Sequence, residues 1–461
     1  MEMVEYICPK CGKNFSQKND LTRHLKKKMS CINPENLIKE KSEVDEIKFI
    51  FDKCLDILRD NEHIMNDKAL RNLSYLFVLK LIEPKLNTIK FENYDYPFDG
   101  FDDDVDIELL KQTLFKVLKF SELIKVQEGK IIETLNHLWN EILCVHPITK
   151  GIFIKNSGFD IKKSKTFVKL FSILKDFDTS KFKSDVLGNA YELVFKTIMT
   201  GDLGQFFTPP IVKKLMVNLI KPKIFSDGTI ESIHDPALGT AGFLMTCVNY
   251  IENFASFNKI NVNWKDVMNK LSGVEAVSET YQLAESNMLI STGMTSENVV
   301  IGDSIRNPIL EQKDNILTNP PFGIKGLTYQ EISNEGGKRD LFMPIIVNSA
   351  VPLFLQVIIK TLKIGGKCGI VLPDGQDLFS RNNGLVSVRE YLLKTCDLKE
   401  IIYFPTGTFT HTSIKTCVAF FIKKRNETEV LKIKDISKTK REYTFTPTHQ
   451  THKVKFFDFN T

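Results

Sequence analysis

Asp314-Asn315-Ile316-Leu317-Thr318-Asn319-Pro320-Pro321-Phe322-Gly323 is the stretch from which the rest of the sequence is read. Residues 314–318 read as a short strand, and Gly323 follows the tetrapeptide, so Asn319–Phe322 falls in a loop at a strand's carboxyl end. Open α/β sheets bind their ligands at that edge. Two successive prolines fix φ and supply no N–H, which makes the loop stiff and leaves its carbonyls unpaired. The Asn319 amide oxygen and the Pro320 carbonyl can both accept hydrogen bonds from an exocyclic –NH2 group. Phe322 offers a flat apolar face on which a heterocycle can stack. The tetrapeptide alone also suits a plain proline-rich turn, so the flanking sequence has to decide.

Three upstream segments share one pattern: an apolar strand ending in an acid. Ile230–His234 runs into Asp235, followed by the glycine-bearing loop Pro236-Ala237-Leu238-Gly239-Thr240-Ala241-Gly242 and an amphipathic helix from Phe243 to Phe254. Glycines there let the backbone approach a ligand closely. Leu271–Val274 ends in Glu275, forty residues past Asp235, and Asn298–Gly302 ends in Asp303. Extra helical sequence near Trp264–Lys270 accounts for the wider gap, since dinucleotide folds place the second acid about 20 residues on. The order Asp235, Glu275, Asp303, Asn319 is that of a doubly wound sheet. Downstream, Ala350–Leu362 reads as a helix ended by Gly365-Gly366. Residues 367–373, 398–404 and 416–422 read as strands, and the polar, glycine-bearing stretch 325–339 as a loop able to close over a substrate.

The remaining chain suggests two further units. Between residues 6 and 31, Cys8 and Cys11 have the spacing of a zinc knuckle, Phe15 and Leu21 supply a minimal core, and His24 follows one helical turn later. Cys31, seven residues after His24, is the candidate fourth ligand. So short a segment needs the metal to fold. Residues 33–42 are polar and read as a linker, and 43–185 shows helical periodicity at Ile47, Phe51, Leu55 and Leu58. Near residue 205 comes Gly204-Gln205-Phe206-Phe207-Thr208-Pro209-Pro210, with Thr208 placed to cap a helix beginning at the prolines.

Composition sets outer bounds. The 461 residues suffice for two or three domains, 42% are hydrophobic and 26% charged, and the net charge of +5 permits a nucleic-acid partner without arguing for one. No apolar run approaches the ~18 residues of a membrane span, and nine scattered cysteines do not form a disulfide framework. The expectation is a soluble intracellular protein of a prokaryote or a virus-infected host, without a membrane partner.

Together, the Gln-Phe-Phe-Thr-Pro string, the glycine loop, the strand-end acids and Asn-Pro-Pro-Phe resemble the methylation subunit of type I restriction-modification systems, within the N6-adenine DNA methyltransferases. The resemblance covers roughly residues 43–425. It implies a Rossmann-like α/β domain of the class I S-adenosylmethionine-dependent methyltransferases at 186–425, preceded by a helical domain at 43–185 and a finger at 1–32, with a tail at 426–461. It further implies S-adenosylmethionine held by Gln205, Phe207, Thr208, Asp235, Gly239, Gly242, Glu275 and Asp303. Glu275 would take the ribose hydroxyls and Asp303 the adenine amine of that cofactor. Asn319, Pro320, Pro321 and Phe322 would form the catalytic loop, and Phe409 would touch an adenine rotated out of duplex DNA.

The finger resembles the C2H2 type, departing from it at Cys31. A structural Zn2+ on Cys8, Cys11, His24 and Cys31 is expected, and Gln17, Asp20 and Arg23 match the finger's base-contacting positions. Type I relatives read their target through a separate specificity subunit and cut through a restriction subunit, which are the partners implied beside double-stranded DNA. Leu238 and Ala241 depart from the usual glycine loop. A methyl at 241 intrudes on the cofactor if its φ is ordinary, which keeps open an inactive fold serving as a zinc-dependent DNA-binding module. Methylation of adenine in RNA, or of glutamine in a protein, also stays open on the sequence.

Overall fold

The computed structural model describes residues 6–7, 14–15, 34–83, 119–144, 149–182, 208–322, 328–374, 381, 383–409, 415–437 and 440–459. At the amino end, β1 (Tyr6–Ile7) and β2 (Asn14–Phe15) pair antiparallel. Helix α1 (Pro34–Glu62) starts at a proline, which suits a first helical turn. It therefore takes up most of the 33–42 stretch expected as a linker. Among the described residues, helices α2 (Asn66–Ile82), α3 (Ile131–Leu138) and α4 (Ser164–Leu174) follow in this unit. Its core holds Tyr75 and Trp139 edge to face at 4.8 Å, with Phe153 4.7 Å from the indole.

The second unit is built on one sheet of eight strands in the order β12-β8-β9-β7-β6-β3-β4-β5. These are β3 (Ile233–Asp235), β4 (Leu271–Glu275), β5 (Val299–Ile301), β6 (Lys313–Thr318), β7 (Leu362–Pro373), β8 (Cys396–Tyr403), β9 (Thr416–Lys423) and β12 (Lys455–Asp458). Every neighbouring pair is parallel except those made by β9, which runs antiparallel to both β7 and β8. All of these strands except β12 fall near the positions expected from their apolar runs. Helices α5 (Pro210–Ile220), α6 (Gly242–Asn258), α7 (Trp264–Lys270), α8 (Ser278–Thr292), α9 (Ala350–Thr361) and α10 (Asn383–Thr395) cover the faces. Because β3 pairs with β4 on one side and β6 on the other, the strand order reverses there, which makes the switch point where such sheets bind ligands.

Three local readings differ from expectation. Gly365 and Gly366 do not cap α9; the helix ends at Thr361 and both glycines lie inside β7. Residues 426–461 contribute the hairpin β10 (Leu431–Ser437) and β11 (Lys440–Phe445) together with the edge strand β12, which pairs with β8. The described part of the 325–339 loop is fastened down: Tyr329 is buried, its hydroxyl donates to Asp340 at 2.6 Å, and Arg441 of β11 donates to that hydroxyl at 2.8 Å.

Helix α8 belongs to both units. Leu283, Leu289 and Ile290 enter the helical core, while Ala284 and Met288 enter the core beside the sheet. The Tyr75 hydroxyl of α2 donates to Gln282 at 3.0 Å across this seam. Gly151 crosses α8 so closely that a Cβ there would meet Glu285 Cγ and Tyr281 Oη, each at 3.1 Å. Glu285 is buried, its Oε1 has no hydrogen-bond partner, and burial pushes its carboxyl up to about 8.

Candidate active site

Sheet topology brings the four expected residues to one edge. Asp235 closes β3, Glu275 closes β4, Asp303 follows β5, and Asn319 follows β6, all at carboxyl ends of parallel strands. Pro320 is buried, while Pro321 and Phe322 are half-buried. The Phe322 ring packs against both core clusters of this domain.

The Asn319 side chain is held by a residue assigned to another role. Its Nδ2 donates to Thr208 Oγ at 3.1 Å, and Thr208 is itself buried. Thr208 is thus not the helix cap expected; Pro209 occupies that position and no side chain caps α5. With the amide N–H taken by Thr208, Asn319 Oδ1 is left buried with no donor. An acceptor in that state costs about 1–3 kcal/mol. The end of β6 therefore presents an unmet, oriented acceptor suited to an –NH2 group.

Asp235 shows the same pattern. Its Oδ1 accepts the Ala237 N–H at 3.0 Å, while Oδ2 is buried with no partner. The Thr318 hydroxyl is near enough to oppose the loss of acidity but falls outside hydrogen-bond geometry. Burial dominates and pushes the carboxyl up to about 7. Glu275 holds the glycine loop, with Oε2 accepting the Gly239 N–H at 2.9 Å and Oε1 accepting the Val277 N–H at 2.9 Å. Burial raises its proton affinity as well. Asp303 secures its own turn: Oδ1 accepts the N–H groups of Ile305 and Arg306, and Oδ2 pairs with the Arg306 guanidinium.

Both departures in the glycine loop have a structural account. Leu238 lies over β4, where a Cβ on Gly273 would come within 2.5 Å of Leu238 Cδ1. The larger side chain is accommodated because its neighbour has none. Ala241 takes φ +61°, a left-handed conformation costing a non-glycine residue about 1–2 kcal/mol. Its methyl is fully buried in the apolar cluster beneath the loop. The condition under which it would intrude on a cofactor is therefore not met. Two contacts not anticipated from sequence tie the loop down: Asn287 of α8 donates to Thr240 O at 2.8 Å, and the Ser304 hydroxyl to Pro236 O at 2.7 Å.

Phe409, expected to touch the base, is 7% exposed and packs against Phe404 at 6.4 Å, as a large apolar ring beside a strand end is drawn toward the adjoining core. Gln205, Phe207, Cys8, Cys11, Gln17, Asp20, Arg23, His24 and Cys31 lie outside the described residues. Among the described residues no group of three or more His, Cys, Asp or Glu side chains is arranged to hold a metal. No described helix is long and apolar enough to cross a membrane.

Comparison with known proteins agrees with this geometry. The sequence model of the family described as N-6 DNA Methylase matches residues 182–459, and that of the C2H2-type zinc finger matches residues 6–27. The EcoEI type I restriction enzyme methylase subunit of Escherichia coli is 26% identical over 410 residues, covering 83% of this chain and 76% of the relative. The StySPI methylase subunit of Salmonella potsdam is 32% identical over 231 residues, 48% of this chain and 40% of that protein. Among solved structures, the type I restriction-modification methyltransferase subunit from Streptococcus thermophilus superposes with a TM-score of 0.63 at 20% identity, covering 86% of this chain and 90% of that one. A chain from a type I restriction-modification assembly gives 0.60 at 20% identity, covering 83% and 74%. These likenesses confirm the fold.

Proposed function

Since this chain belongs to the N-6 DNA methylase family, we propose that it methylates the N6 amine of adenine in DNA, with Asn319 and Pro320 as the groups that hold that amine. The observation carrying the assignment of roles is the buried, unpartnered Asn319 Oδ1, oriented by Thr208 at the mouth of the sheet's switch point. An adenine amine donating to Oδ1 and to the Pro320 carbonyl meets both acceptors. The two acceptors direct the nitrogen lone pair away from themselves and stabilise the positive charge that grows on nitrogen as it is alkylated. Phe322 supports the ring from one face, and the rigid Pro320-Pro321 step fixes the approach. The amine proton leaves to water after transfer, so no side-chain base is required.

The residues present fit S-adenosylmethionine. Asp235 Oδ2 is an unmet buried acceptor suited to the cofactor's ammonium group, and the 239–242 turn brings bare backbone to the same edge. Gln205, Phe207, Thr208, Gly239, Gly242, Glu275 and Asp303 complete the proposed set. When bound, the cofactor supplies an electrophilic methyl group. Glu275 and Asp303 keep free lone pairs beside their backbone bonds, so each can still accept from a ligand.

Similarity to type I methylase subunits supports a role as a modification subunit whose target is read by a separate specificity subunit, with a restriction subunit as a further partner. At the amino end we propose zinc on Cys8, Cys11, His24 and Cys31, with Gln17, Asp20 and Arg23 turned to DNA. The donor chemistry, the β1–β2 hairpin flanking Cys8 and Cys11, and the finger match over residues 6–27 support this. Incubating the protein with labelled S-adenosylmethionine and duplex DNA, then digesting to nucleosides, tests the main assignment. Label in N6-methyladenine is expected. Label appearing only when RNA or protein replaces the DNA would overturn it.

A further inference from the structure

Lys213 is a charged side chain almost shut off from water. It lies near the start of α5 at 3% exposure, on a face whose other buried residues, Val212, Met216, Val217 and Ile220, are all apolar. A lysine ordinarily lays its stem along apolar surface and keeps its ammonium in solvent. Taking that ammonium inside is costly unless negative or strongly polar groups meet it. Gly242 supplies the room: a Cβ there would come within 3.0 Å of Lys213 Nζ and 3.1 Å of Lys213 Cδ. The ammonium therefore rests against bare backbone at the first residue of α6, where the glycine loop ends.

That is an unusual place for a cation. The positive end of the 17-residue helix α6 gathers at Gly242, no side chain caps it, and its first turn carries no acidic residue. A lysine set against that end adds like charge to like, and a carboxylate lying between the two is attracted by both. At the other end of the same loop, Asp235 Oδ2 is buried without a partner. The loop thus has an unmet negative acceptor at its start and a buried cation at its finish. Such an arrangement suits a zwitterion, with an ammonium for Asp235 and a carboxylate for Lys213, better than it suits a simple anion.

We infer that Lys213 receives the carboxylate of the amino-acid tail of S-adenosylmethionine and so selects ligands that carry one. The inference rests on the proposed cofactor site and deepens it by naming a residue outside the proposed set. Lys213 does not touch the methyl group that is transferred, so its effect falls on affinity. A charge-assisted bond made away from water is among the stronger polar contacts, and losing it should weaken binding by about ten- to a hundredfold. A ligand without the carboxylate never makes that bond and should be indifferent to the lysine's charge, which distinguishes recognition from mere packing.

The test is calorimetric binding of two ligands by the full chain: S-adenosylhomocysteine, and its decarboxylated analogue, which keeps the adenosine, the sulfur and the amine. The unaltered protein is expected to prefer S-adenosylhomocysteine by about tenfold or more. Lys213→Met keeps the length and the apolar stem but removes the charge. It should weaken S-adenosylhomocysteine by about tenfold or more, shift the analogue by less than about threefold, and so abolish the preference. Lys213→Arg should retain most of it. Equal affinity of the unaltered protein for the two ligands overturns the inference before any variant is made. Equal weakening of both ligands by Lys213→Met assigns the lysine to packing and overturns it as well. In either case binding of S-adenosylhomocysteine by the unaltered protein leaves the cofactor reading standing. If the unaltered protein binds neither ligand, both the inference and that reading fall.

Discussion

Replacing Thr208 with valine removes one hydroxyl while keeping the shape of the side chain, and the effect should appear in the chemical step. Thr208 Oγ receives the Asn319 amide at 3.1 Å from a position 111 residues away in sequence. Thr208 is buried and Asn319 partly so, which limits the access of water to Nδ2 once the hydroxyl is gone. A neutral hydrogen bond of this kind is worth about 0.5–1.5 kcal/mol net. If it serves to orient Oδ1 for the amine, its loss falls on the transition state and slows methyl transfer by about two- to twelvefold. Removing the acceptor itself, in Asn319→Ala, should cost about 10²–10³. Because Thr208 acts through Asn319, the two losses should not add. Single-turnover transfer to duplex DNA, with S-adenosylhomocysteine affinity measured by calorimetry, separates the roles. Thr208→Val should slow transfer even at saturating S-adenosylmethionine, beyond any loss of cofactor affinity, Thr208→Ser should recover the rate, and Thr208→Val/Asn319→Ala should be no slower than Asn319→Ala. Equal slowing by Thr208→Val in both backgrounds, or a loss confined to cofactor affinity, would refute the coupling.

Two further outcomes concern stability. Gly273→Ala places a Cβ 2.5 Å from Leu238 Cδ1 and should destabilise the protein by about 1–3 kcal/mol in urea unfolding. Combining it with Leu238→Ala should lose at least 1 kcal/mol less than the two single changes added, a result that strictly additive losses would contradict. Glu285, with its carboxyl raised from an ordinary 4.5 to about 8, stays protonated in the fold while the unfolded chain ionises, so its contribution falls as pH rises through that interval. Asp235, raised from 3.8 to about 7, adds a slope of the same sign at lower pH. Glu285→Gln should therefore gain up to about 3 kcal/mol relative to the unaltered protein between pH 5.5 and 8. Parallel stability curves for the two proteins would dismiss the account.

Much of the sheet is legible in the sequence because its strands carry their own punctuation. Asp235, Glu275 and Asp303 each close a short apolar run, and the run before Asn319 ends at a proline pair that cannot continue a strand. What escapes depends on partners distant in sequence or on ambiguous local signals. The Arg441–Tyr329 bond spans 112 residues, so the segment around Tyr329 reads as free when Tyr329 is fastened to β11. Gly365-Gly366 signals a break, and the same signal serves a helix end or an irregular strand. Residues 34–42 lack apolar periodicity and read as linker, although Pro34 is a good first residue of a helix. Phe409 takes its expected role from its motif, and its packing against Phe404 is visible only in the fold.

The most direct measurement is the amount of N6-methyladenine formed in duplex DNA by the unaltered protein and by Asn319→Ala, quantified by mass spectrometry of nucleosides, with S-adenosylhomocysteine binding confirming that both are folded. The account requires methyladenine from the first, at least a hundredfold less from the second, and equal ligand binding. Similar yields from both proteins would show that the Asn319 acceptor does not hold the amine, and the assignment of the site would fall with it.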